Sequence, residues 1–167
     1  MKTKKIAYLG VFMAFALILS YVETLIPVSA GIPGVKLGLT NIVTVLMLYI
    51  ATPTETFVLC VFRAVLSGFM FGSEFSIIYS LAGCILSFFA MLLLKKTNKF
   101  KVISISVIGG ISHNIGQIIV ASVVLSTYSV AYYVPVLLVA GTLTGLVIGV
   151  ISEEILIRVE NRFSFQK

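Results

Sequence analysis

The chain has 167 residues, 59% of them hydrophobic and only 11% charged, with a mean hydropathy of +1.15. A soluble domain carries about 25% charged residues, so this chain could not cover a water-facing surface and reads as an integral membrane protein. The net charge of +6 would suggest nucleic acid in a soluble protein. Here the cations lie in the tails and one loop, which fits a cytoplasmic membrane face and no nucleic acid.

The fold class expected is all-α, a polytopic bundle in one integral membrane domain over residues 1–167. Six apolar segments can be read, since a helix satisfies its own backbone in lipid. The first runs from Ile6 to Ile26 and stops at Pro27. Its Lys-rich start and Val28-Ser29-Ala30 have the outline of a signal peptide. The apolar run is too long for that, and Glu23 and Pro27 sit awkwardly near the cleavage site, so it is expected to stay as a span. The second, Gly38–Ala51, is short; at ~1.5 Å per residue it reaches only about 21 Å of a ~30 Å core. The others are Thr54–Phe71, Phe75–Leu94, Val102–Ser126 and Ala131–Ile157. No repeat or linker suggests a second domain.

Charge placement argues for keeping the second segment as a span. Lys2, Lys4 and Lys5 precede the first span, Lys95, Lys96, Lys99 and Lys101 follow the fourth, and Arg158, Arg162 and Lys167 follow the sixth. Six crossings put all of them on one side, the cytoplasmic side by the positive-inside rule, with both termini inside the cell membrane. The second segment is then expected to cross as a short or tilted helix in locally thinned bilayer. Lys36, in the loop Pro27–Leu37, is the one cation on the opposite face.

Several chemistries are excluded. No G-x-x-x-x-G-K-[ST] is present, so any ATP-driven step belongs to another subunit. Asp is absent and six Glu are scattered, so the chain cannot build the carboxylate cluster that holds diphosphate–Mg²⁺. No catalytic residue and no metal ligand set is expected, and an independent enzyme is not. Cys60 and Cys84 lie in apolar stretches without a CxxC pair and are expected to be small packing residues.

Polar residues inside the membrane carry the remaining information. His113 and Gln117 are four apart on the fifth helix, and Asn114 lies three before Gln117, so the three share a flank. Such groups either line a ligand pocket or hydrogen-bond neighbouring helices. Arg63, central in the third span, costs about 2.5–3.5 kcal/mol on insertion scales and needs a partner. Glu23 and Glu74 are the candidate partners; an anion or a docking protein is the alternative. Glu23, Lys36, Asn41 and Glu74 are expected near the outer rim. Gly10 and Ala14, and Gly141, Gly145 and Gly149, are spaced for close helix contact, either inside the chain or with a partner.

The stretches Ile32-Pro33-Gly34-Val35-Lys36-Leu37-Gly38-Leu39-Thr40-Asn41-Ile42 and Ser112-His113-Asn114-Ile115-Gly116-Gln117 resemble the Gx transporter family. That family is also catalogued as heptaprenyl diphosphate synthase component I. Six helices without an ATPase motif further resemble the substrate-binding S components of energy-coupling factor transporters. The resemblance implies a small-molecule ligand, vitamin-like or isoprenoid- or quinone-related, enclosed by the His113–Gln117 face and the loop Pro27–Leu37; with the residues read above, the candidate contacts are His113, Asn114, Gln117, Lys36, Asn41 and Arg63. It implies docking of a transmembrane coupling subunit with its ATPases on the Gly10/Ala14 ridge. Related chains are also associated with extracellular electron transfer. That alternative implies flavinylated or quinone-linked redox partners and a bound quinone or flavin, the chain itself carrying no cofactor. A third reading is a membrane partner of a prenyl diphosphate synthase.

Overall fold

The computed structural model describes residues 2–25, 38–126 and 132–162. Six helices and no strand occur among them: α1 (Lys2–Leu25), α2 (Asn41–Ile50), α3 (Pro53–Phe71), α4 (Glu74–Lys96), α5 (Val102–Val124) and α6 (Val134–Arg162). All but α2 are long and apolar enough to cross a membrane. Large apolar side chains such as Val11, Phe62, Phe69, Leu93 and Val123 face outward, as lipid solvation requires. The chain is a polytopic helical membrane protein.

Local chemistry marks the boundaries. Thr52 and Glu55 form a reciprocal capping box at the start of α3, with Pro53 in the first helical position where its missing N–H costs nothing. Ser73 caps α4 by accepting the N–H of Ser76. Asn98, with a φ of 53°, turns the chain between α4 and α5.

The second segment differs from the expected short span. It forms ten helical residues, about 15 Å, half of a hydrocarbon core. Residues Asn41 to Leu48 are all buried, and α2 touches each of the other five helices. A helix wrapped by protein does not have to match the bilayer, so no local thinning is needed.

The other helices pack as neighbours in the order α1, α3, α4, α5, α6 around α2. Between α5 and α6 the backbones meet closely. A methyl group added at Gly145 would lie 2.7 Å from the Cα of Val107, and one at Gly149 only 2.8 Å from the Cα of Ile103. Ser106 Oγ donates to the Gly145 carbonyl at 2.8 Å. The α6 glycine ridge therefore serves internal packing. Gly10 on α1 is the reverse: it is exposed, with nothing within 4 Å of an added methyl, and Ala14 is exposed beside it. α1 touches only α3 and α2, and an apolar groove lined by Leu9, Met13, Val58, Leu59 and Phe62 lies between α1 and α3.

Apart from the buried Arg63, the described cations gather at one end. Lys5 pairs with Glu55 at the start of α3, and Lys95 donates to the Leu48 carbonyl while lying over the Tyr49 ring. Glu153 of α6 is within electrostatic reach of Tyr49. The start of α1, the end of α2, the start of α3 and the end of α4 thus share a face with the later part of α6.

Cys60 and Cys84, expected as separate packing residues, are instead paired as a disulfide between α3 and α4, with Cα atoms 6.4 Å apart. They lie at equal distances (72 − 60 = 84 − 72 = 12) on either side of Gly72, where the antiparallel pair turns, so their helices bring them face to face.

Gly145→Val should lower the thermal unfolding temperature in detergent by several degrees, since overpacking costs about 1–3 kcal/mol. Gly10→Val should leave it unchanged. Equal effects of the two substitutions would contradict the packing described.

Candidate functional site

The site begins at Gly38, just ahead of α2. Gly38 has a φ of +84°, a left-handed conformation that side chains other than hydrogen rarely adopt. The turn Leu39–Thr40 follows, and the Asn41 N–H returns to the Gly38 carbonyl at 2.9 Å. Glu23, near the end of α1, accepts the N–H groups of Gly38 and Leu39, the second at 3.4 Å. A carboxylate from another helix thereby satisfies donors just ahead of α2, favourable at a helix N-terminus. Thr40 holds the capping position of α2 but makes no side-chain cap. Its hydroxyl accepts instead from Nη1 of Arg63, midway along α3. The charge of Glu23 also acts on Arg63.

His113 on α5 stands against this entry. A methyl at Gly38 would lie 3.2 Å from His113 Cδ2 and 3.3 Å from Asn41 Nδ2. On the other side, a methyl at Gly83 of α4 would lie 2.9 Å from both Cε1 and Nδ1 of the same ring. The imidazole is therefore held between two glycines. Its Nε2 lies 3.2 Å from Gln117 Nε2 one turn along, as the four-residue spacing dictates. Asn114 turns to α6, where its amide donates to the Leu137 carbonyl at 2.6 Å.

All of these polar side chains are buried: Glu23, Thr40, Asn41, Arg63, His113, Asn114 and Gln117 expose 5% or less. Among the described residues, several of their atoms have no hydrogen-bond partner. They are Nε and Nη2 of Arg63, both amide atoms of Asn41, Oδ1 of Asn114 and Oε1 of Gln117. Buried polar groups are rarely left so, which makes these atoms candidate contacts for a polar ligand or water.

A sequence model of the family described as heptaprenyl diphosphate synthase component I matches residues 12–155. The chain belongs to this family. No curated protein and no solved structure gave a match. The matched stretch of this component I chain contains every residue placed in the polar cluster.

The candidates are not all placed as expected. His113, Gln117, Asn41 and Arg63 come together around Gly38, and Glu23 is the acidic neighbour of Arg63. Of the expected outer rim of Glu23, Lys36, Asn41 and Glu74, the described members differ in exposure. Glu23 and Asn41 are buried, while Glu74 is exposed in the first turn of α4. Lys36, with the loop Pro27–Leu37 and Val28-Ser29-Ala30, lies outside the described residues. Thr40, Gly38 and Gly83 are members of the site that the candidate set omits. Thr40 and Gly38 sit in the quoted motif beside Asn41; Gly83 has no signal beyond its small size.

Asn114→Leu should lower stability by about 1 kcal/mol, because it removes the bond to the Leu137 carbonyl. Thermal unfolding of the detergent-solubilised protein reads this directly. An unchanged midpoint would mean that this carbonyl is already satisfied within α6.

Proposed function

We propose that this component I chain is a non-catalytic binding subunit in the cell membrane, of the S-component type found in energy-coupling factor transporters. The observation that carries the reading is the set of unpartnered polar atoms on buried Asn41, Arg63, Asn114 and Gln117. Such an arrangement suits holding a small vitamin-like, isoprenoid- or quinone-related molecule. It offers no nucleophile activated by a base and no carboxylate cluster for diphosphate–Mg²⁺. The cation-bearing end is the cytoplasmic one by the positive-inside rule, which would put both termini inside. Energy for release would come from separate ATPases through a coupling subunit. The exposed Gly10/Ala14 face of α1 suits that partner, since small residues permit backbone contact between helices in lipid.

The family description favours a second reading: a membrane component that attaches a prenyl diphosphate synthase. In that case the synthase subunit would carry the metal chemistry, and this chain would hold it beside the bilayer in which a long isoprenoid product dissolves.

Mild-detergent purification from native membranes, with identification of the accompanying proteins, tests both. The expected outcome is a coupling subunit with two ATPases, lost in a Gly10→Leu variant that unfolds at the wild-type temperature. Recovery of a soluble prenyl synthase without ATPases would replace the first reading by the second. Flavinylated or quinone-reducing proteins would replace both with electron transfer.

A further inference from the structure

Arg63 is 3% exposed, on a helix in the middle of an apolar bundle. A guanidinium there needs its donors met, because an unpaired buried charge is among the costliest groups a protein can hold. The protein meets part of this demand. Nη1 donates to Thr40, and Glu23 supplies a field of opposite sign. Among the described residues, Nε and Nη2 have no hydrogen-bond partner.

Those two nitrogens are not an arbitrary pair. They form the side-on edge of the guanidinium plane, two parallel N–H donors at the spacing of two oxygens on one carboxylate or phosphate. A single carbonyl or hydroxyl could satisfy one of them; an oxyanion with two oxygens satisfies both and offsets the charge. Asn41 follows Thr40 directly in the chain and also has both amide atoms unpartnered at 3% exposure. Its NH₂ would serve a further oxygen of such a group. The Glu23 carboxylate accepts the Gly38 and Leu39 N–H groups.

We infer that the ligand of this site carries a compact oxyanion, a carboxylate or a phosphate, seated on the Nε–Nη2 edge of Arg63 beside Asn41. The inference rests on the reading of the polar cluster as a ligand site and adds the chemical class of what binds there. His113 and Gln117 then face the remainder of the molecule.

The test uses the full chain, purified in mild detergent, with thermal unfolding followed in sodium acetate, sodium phosphate and sodium diphosphate against sodium chloride of equal ionic strength. Saturable stabilisation by an oxyanion over chloride is expected. Acetate alone acting identifies a carboxylate ligand; phosphate or diphosphate acting identifies a phosphorylated one. Arg63→Lys keeps the charge and loses the fork, and should weaken the apparent affinity about tenfold or more. Glu23→Gln, which removes a competing negative charge, should strengthen it severalfold. No oxyanion effect beyond chloride, or an undiminished effect in Arg63→Lys, overturns the inference and leaves Arg63 as a structural charge balanced by Glu23. Should Arg63→Lys fail to fold, the wild-type comparison and Asn41→Ala decide the matter. A coupling subunit recovered from membranes without any oxyanion effect would remove the ligand class and keep the binding-subunit reading. An oxyanion effect without such partners would do the reverse.

Discussion

Enclosure of α2 is the constraint on which the rest of the bundle depends. A ten-residue helix cannot reach across a ~30 Å hydrocarbon layer, and its ends would leave backbone groups unsatisfied in lipid. The other five helices must therefore close around it. That closure is what admits a polar segment to the interior, where Gly38, Thr40 and Asn41 are buried. The carboxylate of Glu23 and the guanidinium of Arg63 are drawn in by the same need, each meeting a group at the start of α2. Apolar packing among Val43, Val45, Leu46, Met47 and Leu48 holds the helix there and sets the position of the polar cluster above it.

What could be read from the sequence follows the range of the interaction that decides it. The five long helices were legible because composition alone identifies a lipid-exposed run, whatever its neighbours. α2 carries the same hydropathy, but whether an apolar helix meets lipid or protein is a tertiary fact. The flank of His113 and Gln117 was legible because one helix creates it through its own period. The bond between Arg63 and Thr40, and that between Glu23 and Gly38, join separate helices and left no periodic trace. The cysteine pair is an intermediate case. Equal distances from Gly72 encode it, yet only once α3 and α4 are known to be antiparallel neighbours.

The polar cluster also explains the distribution of glycine. Close approach at Gly83 and Gly38 makes room for one imidazole, while the α6 ridge brings two backbones together without any ring between them. In the first case small residues create space for a functional side chain; in the second they remove space between helices. Sequence spacing alone does not separate these uses, because Gly10 and Ala14 share the four-residue spacing and serve neither.

The glycine-mediated seam between α5 and α6 has a dynamic consequence. Where backbones touch, no side chain can change rotamer to absorb a displacement, so α5 and α6 move as one rigid slab. α4 is joined to α5 by equally close contacts at Gly83 and Gly116, and to α3 by the cysteine pair. Among the described residues α1 borders only α3 and α2, and an apolar groove runs along part of its contact with α3. Any rearrangement that opens the bundle therefore has its lowest-cost coordinate in α1. Because Glu23 rides in the last turn of that helix, displacement of α1 would unlatch the Gly38–Leu39 backbone and remove the counter-charge from Arg63 in a single stroke.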